Sequence, residues 1–242
     1  LSQARIHALL PAAGQSLRFG GTIVKQYASL LGKPVMAHSI AALRQHQAVA
    51  AVTVAISADD GLYNELMRPN FPEQTTIIGG DSRAQTVLNG LQFIAANDPE
   101  AEWVLVHDAA RPCLSADALN RLIEWVMSDA PKNTGHGAIL AVPVSDTLKQ
   151  ASEDGQIIAT VDRSTLWAAQ TPQLFRLKDL LDSLTAALQF GPLPSDEAQA
   201  MERCGHPVHL VEGSVDNIKI TRAEDLAIAE AILLRQQASM PQ

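Results

Sequence analysis

Two cations stand on or just after a glycine-rich loop near the start of this chain, Arg18 and Lys25, around Gly14-Gln-Ser-Leu-Arg-Phe-Gly20. Glycines let backbone N–H groups approach phosphate oxygens closely. Cations beside them can stabilise the charge that gathers on phosphorus oxygens during phosphoryl transfer. The loop is not a dinucleotide fingerprint: Ser16 takes the second glycine position of G-x-G-x-x-G. No Asp or Glu follows until Asp59, so nothing is placed to hold a ribose 2′-hydroxyl. A P-loop is excluded because no Gly-Lys-Ser/Thr follows. The plain alternative for Arg18 and Lys25 is a solvated cation on a surface loop.

The elements that must carry this loop alternate along the chain. RIHALLP is a short apolar run read as a buried first strand and not as a signal peptide. PVMAHSIAALRQH reads as a helix with Pro34 in its first turn, and AVAAVTVAIS as a strand buried on both faces. A short helix near Asp60 to Met67 and a strand TTIIGG follow. Asp81 or Ser82 then caps a helix with Val87, Leu88, Leu91 and Ile94 on one face. WVLVHDAARP, SADALNRLIEWVMSD and GAILAVPV continue as strand, helix and strand. Helices from Lys178 to about Phe190 and around Glu197 to Cys204, the segment HLVEGSVDNIKI and a helix from Arg222 complete the chain. The expected fold is α/β: a doubly wound, mostly parallel, Rossmann-like sheet.

In such sheets ligands bind beyond the carboxyl ends of the strands. The loops there run from Gly14 to Lys25, from Gly79 to Arg83, from His107 to Arg111 and from Asp216 to Lys219. Together they bring glycines, cations and aspartates to one rim, a set that suits a metal-bound triphosphate. Asp108 is either a ligand or a cap for the next turn; Asp216 is a metal candidate or a turn former. His107 and the other histidines read as structural.

Residues 145–175 break the pattern. Two polar-alternating runs flank Asp154-Gly155, a tight-turn signal. They read as an arm on a single domain spanning 1–242, either projecting to pair with another chain or folded back on its own sheet. The net charge of −8 argues against a nucleic-acid surface, and no apolar run reaches the roughly 20 residues of a membrane span. The first 58 residues nevertheless carry +5 and the remainder −13, a basic quarter that would favour a small polyanion. Cys113 and Cys204 lack metal-ligand spacing and form no disulfide framework, so a reducing cytoplasm is expected.

The segments PAAGQSLRFGGTIVKQY, GGDSRAQTVLNGL, VHDAARPC, TVDRSTLWAAQTPQLF and DNIKITRAEDLAIAE resemble the 2-C-methyl-D-erythritol 4-phosphate cytidylyltransferases, from about residue 6 to residue 232. The resemblance implies transfer of CMP from CTP to 2-C-methyl-D-erythritol 4-phosphate, in the non-mevalonate route to isoprenoids, with pyrophosphate released and no covalent enzyme intermediate. It implies a homodimer whose arms complete each other's active sites. Arg18 and Lys25 would stabilise the pentacoordinate phosphorus, and Arg163 and Lys219 would hold the phosphate of the attacking alcohol. Ala12, Ala13, Gly14, Gly80, Asp81 and Thr86 would surround CTP. Asp108 would face the ribose, a metal or the second substrate, with Arg111 and Thr147 on that substrate's side. Magnesium (Mg2+) is expected because a triphosphate needs its charge neutralised and its oxygens oriented; Asp108 and Asp216 are its candidate ligands.

Two positions depart from the family's pattern. Val24 stands where Pro usually precedes the lysine, and Ser16 where glycine is common. Freeing φ at residue 24 should raise the entropic cost of ordering the loop, so reduced or retuned activity is expected, not its loss. The same chemistry on ribitol 5-phosphate is the near alternative. A nicotinamide-dependent dehydrogenase lacks its ribose acid here, and a CTP sensor would have no use for cations aimed at a second phosphate.

Overall fold

A computed structural model of the chain describes residues 5–14, 19, 24–128 and 136–238. The run IHALLP forms β1 (Ile6–Pro11), and its side chains alternate between two layers: Ile6, Ala8 and Leu10 face one core, Leu9 the other. The same period-two division recurs in β6 (Trp103–Val106) and β7 (Gly137–Pro143). Strands buried on both faces demand helices on both faces. On one side α1 (Val35–Arg44) and α3 (Ala116–Met127) cover the sheet; on the other lie α2 (Arg83–Asn97) and α4 (Leu177–Gln189).

The short strands β2 (Ser29–Leu30) and β3 (Lys33–Pro34) pair only with each other. With β4 (Val49–Ile56), β5 (Thr75–Ile78), β10 (Trp167–Arg176) and β11 (His209–Glu212), one seven-stranded sheet runs in the order β11-β7-β10-β6-β1-β4-β5. The β1–β4, β1–β6, β4–β5 and β7–β11 pairs are parallel, whereas β10 lies antiparallel between β6 and β7. This is the doubly wound, mostly parallel fold expected from the alternating pattern. Among the described residues, no helix is long and apolar enough to cross a membrane.

Local chemistry sets the element ends. Ser82 caps α2 by accepting from the Gln85 N–H at 3.1 Å, which leaves Asp81 outside the helix. Ser115 caps α3 in the same way. Pro34 precedes α1 as its cap residue, one position before the expected first turn. The expected helix from Asp60 is a π-helical turn over Tyr63–Met67, started by Asp60 Oδ1, which accepts from the Leu62 and Tyr63 N–H groups.

The projecting hairpin is shorter than 145–175. β8 (Leu148–Ala151) pairs antiparallel with β9 (Ile157–Val161) through a turn in which Gly155 takes a φ of 86°. Every residue of both strands is exposed. The third run, Trp167–Arg176, returns to the main sheet: its first three residues are exposed and its next six buried. A register shift between Ala169 and Gln173 accommodates Pro172 in this central strand.

Candidate active site

A cavity of about 660 Å³ opens at the carboxyl ends of the parallel strands. Its walls are the end of β1 with the loop after it (Pro11 to Gly14), the loop between β5 and α2 with the first residue of α2 (Gly80 to Arg83) and the loop after β6 (Asp108 to Ala110), with Ser57, Lys25, Gln26, Lys219 and Thr221. Ala12, Ala13, Gly14, Lys25, Gly80, Asp81, Thr86, Asp108 and Lys219 therefore share one cavity, although Gly14 and Lys219 are far apart in sequence. Arg18 and Ser16 lie outside the described residues.

Lys25 begins a short 3-10 turn, Lys25–Tyr27, that is anchored on both following side chains. Buried Gln26 donates from Nε2 to the carbonyls of Ala12 and Gly14 at 2.8 and 3.2 Å. Tyr27 donates to Asp60 Oδ2 at 2.5 Å. The turn is thereby tied to the end of β1 and to the loop after β4. Across the cavity, the Thr86 hydroxyl accepts from the Gly80 N–H at 3.0 Å and lies 3.2 Å from the Gly80 carbonyl. Thr86 thus shapes the Gly79–Gly80 loop. A Cβ on Gly79 would lie 2.7 Å from Ala13 Cβ and 2.9 Å from the Thr86 side chain, so only glycine lets these two walls meet.

Asp108 is the electrostatic centre, 7% exposed. Lys219 Nζ lies 2.9 Å from its Oδ2 and Arg111 Nε 3.4 Å from the same oxygen; Arg83 reaches Oδ1 from Nη2 at 3.3 Å. Burial pushes this carboxyl up, but Arg83, Lys219 and Arg111 outweigh it and hold the group well below the usual carboxylate range. Arg111 itself is a tether. Its Nη1 donates to the Asn217 carbonyl at 2.6 Å, while the Ile220 N–H donates to Ala110 at 2.8 Å. These two bonds fix the segment that carries Lys219.

Beneath Asp108 lies buried His107. The Thr171 hydroxyl accepts from the Asp108 N–H at 3.0 Å and, because His107 Nε2 faces a carbonyl that can only accept, donates its own proton to His107 Nδ1 at 3.1 Å. The ring proton then sits on Nε2, which donates to the Arg111 carbonyl at 3.0 Å. Burial lowers the imidazole pKa to about 4. Because the unfolded chain binds this proton near pH 6.5 and the folded chain near 4, stability is complete above that window and declines as pH falls through it. The loss expected from this group is on the order of 3 kcal/mol. Urea unfolding between pH 7 and 4, with the imidazole resonance followed by NMR, checks this. A ring that titrates near 6.5 in the folded protein contradicts the assignment.

The remaining expected residues stand elsewhere. Arg163 and Thr147 are exposed at the root of the arm, with the Arg163 guanidinium on the Ser145 carbonyl. Asp216 does not line the cavity and its carboxylate pairs with Arg235. Among the described residues, no three His, Cys, Asp or Glu side chains converge as a metal site. The sequence did not single out Arg83, Gln26 or Glu197. Gln26 adjoins Lys25 and could have been found; Glu197 meets Arg83 from 114 residues away.

A cavity with a glycine-lined wall, a lysine on an anchored turn and a carboxylate ringed by cations suits a polyphosphate and a second anionic reactant. Comparison with known proteins points the same way. The family profile described as IspD, 2-C-methyl-D-erythritol 4-phosphate cytidylyltransferase, matches residues 6–235. The protein of that name from Vibrio vulnificus (strain CMCP6) is 42% identical over 236 residues, 98% of each chain. The one from Escherichia fergusonii is 47% identical over 229 residues, covering 94% of this chain and 93% of the relative. A crystal structure of 4-diphosphocytidyl-2C-methyl-D-erythritol synthase superposes with a TM-score of 0.80 at 39% identity, covering 95% of this chain and 98% of the other.

Proposed function

Since the chain belongs to the 2-C-methyl-D-erythritol 4-phosphate cytidylyltransferase family, we propose a division of labour for that reaction among its residues. The enzyme transfers CMP from CTP to 2-C-methyl-D-erythritol 4-phosphate, giving 4-diphosphocytidyl-2-C-methyl-D-erythritol and pyrophosphate. An alcohol oxygen attacks the α-phosphorus, the bond to the β-phosphate oxygen breaks, and pyrophosphate leaves. Lys25, together with Arg18, stabilises the charge on the five-coordinate phosphorus. Ala12, Ala13, Gly14, Gly80 and Asp81 enclose the nucleotide, with Thr86 holding the Gly80 loop in place. Lys219 takes the phosphate of the alcohol. The observation that carries this reading is the meeting of Lys25, Asp108 and Lys219 around one cavity.

Magnesium fits this site as a companion of CTP, not as a resident ion. Both Asp108 oxygens already face cations and Asp216 faces Arg235, so neither is assigned a direct bond to the metal. When bound, the ion would supply charge neutralisation and orientation of the triphosphate oxygens, a role magnesium fills with few protein ligands.

Arg163, Arg111 and Thr147 are assigned to the alcohol-phosphate side of a homodimer in which the arm reaches a neighbouring site. The bare ribbon supports this: Ile157 and Ile158 are 67% and 61% exposed, and an isolated two-stranded hairpin is marginal in water. Mixing an inactive Lys25→Ala chain with an inactive Arg163→Ala chain is then expected to regenerate some complete sites. No recovered turnover in verified heterodimers would refute the shared site. The compartment assigned is the cytoplasm, where free Cys113 and Cys204 would remain reduced.

Val24 has a specific consequence. Its φ of −66° is the value proline imposes, and its N–H donates no hydrogen bond to the described residues. Val24→Pro is therefore expected to raise stability by about 0.4–1 kcal/mol with activity kept, by reducing unfolded-state freedom. A thermal melt checks this, and a lowered midpoint would contradict it. The test of the function itself is pyrophosphate release from CTP and magnesium with each sugar phosphate offered separately. Release with methylerythritol phosphate and little with ribitol 5-phosphate is expected; the reverse preference would overturn the substrate assignment.

A further inference from the structure

Glu197 is 1% exposed and does not line the cavity. Its carboxylate meets Arg83 twice, Oε1 to Nη1 at 2.6 Å and Oε2 to Nη2 at 3.1 Å. The adjacent edge of the same guanidinium, Nε and Nη2, lies 3.4 and 3.3 Å from Asp108 Oδ1. One planar cation thus serves two carboxylates on neighbouring edges, a geometry that arginine permits and lysine does not.

Glu197 is itself held firmly. It opens α5 (Glu197–Arg203), whose cap Asp196 accepts from Gln199 N–H at 3.0 Å and from Gln173 Nε2 at 3.0 Å. Gln173, buried in β10, also accepts from the Ala198 N–H at 2.9 Å. Both neighbours of Glu197 are therefore tied to the central sheet. A buried ion pair of this kind adds little net stability over apolar residues of similar volume. What it supplies, and an apolar pair could not, is a fixed direction for the Arg83 fork.

We propose that Glu197 is a positioning residue for the second substrate, acting through Arg83 to orient Asp108 and so to set Lys219 in the cavity. The role rests on the proposed assignment of Lys219 to the alcohol phosphate. It bears unequally on the substrates: Ala12, Gly14 and Gly80 are held by Gln26 and Thr86, whereas Lys219 is 2.9 Å from Asp108.

The experiment is steady-state kinetics of wild type, Glu197→Gln and Arg83→Lys, at a temperature where circular dichroism shows each folded. Glu197→Gln removes the charge that holds the fork. Arg83→Lys keeps a cation that can satisfy one carboxylate but not both. Each is expected to lower kcat/KM for methylerythritol phosphate about 10–100-fold while KM for CTP stays within about threefold. If one variant does not fold, the other carries the same expectation. Equal losses toward both substrates, or unchanged kinetics with only a lowered melting temperature, would overturn the role and leave the pair structural. A wild-type chain silent with both sugar phosphates would instead overturn the proposed function, and this role with it.

Discussion

Lys25→Ala is expected to lower kcat for pyrophosphate release about 10²–10³-fold, on the order of 3–4 kcal/mol of transition-state stabilisation. The anchors of its turn lie on Gln26 and Tyr27, so the substitution removes the cation without unmooring the loop. Charge on the phosphorus oxygens grows toward the five-coordinate state, so kcat should fall further than KM for CTP rises. Rates measured against CTP at saturating alcohol phosphate decide the matter. A variant within about threefold of wild type would remove Lys25 from the assigned role.

The largest stability effect should come from Asp108→Asn, which keeps the shape and deletes the charge that three cations share. Arg111 is mostly buried, with 12% of its side chain exposed, so it cannot recover the loss by turning to water. Breaking a buried pair by removing one partner costs about 3–5 kcal/mol. The sign of the pH dependence is fixed by the depressed carboxyl. Asp108 contributes stability that is fully present above its unfolded pKa of about 3.9 and is lost as pH falls toward its lower folded value. Urea unfolding of the two proteins should therefore show a constant difference from pH 7 to 5 that narrows below about pH 4. A difference below ~1 kcal/mol at pH 7 would show that the cations are stabilised elsewhere.

The rim was legible because the apolar runs stop abruptly at polar loops. WVLV ends in His107 and Asp108, TTII ends in Gly79 and Gly80, and a parallel sheet brings those ends together. Capping by Ser82 and the turn at Gly155 were equally local and equally readable. The Arg83–Glu197 pair was not, because its members open two helices whose proximity depends on how α5 docks on β10. The reach of the arm was misread for a different reason. Proline disfavours a central strand, and Trp167 to Gln170 looks amphipathic, so the run resembled its polar neighbours. The register shift around Pro172 lets the chain enter the sheet midway along what sequence presents as one hairpin. The roles proposed for Arg163 and Thr147 would depend on a second chain, which no pattern within one chain can position.

Because β10 is the last strand to take its place beside β6, the fold dictates an order of biosynthesis. β1, β4, β5 and β6 can pair as soon as they have emerged, but Gln173, the partner of Val106, follows about 70 residues later, roughly 4–14 s at ~5–20 residues per second. Until then the apolar edge of β6 stands open, an invitation to intermolecular strand pairing. The Asp108–Thr171 bond that seats the active site closes only when that edge does. A ribosome-bound half-sheet would thus be both inactive and the species most in need of a chaperone; docking of β10 would end the second condition, whereas the first lasts until Lys219, well beyond the end of β10, has joined the cavity.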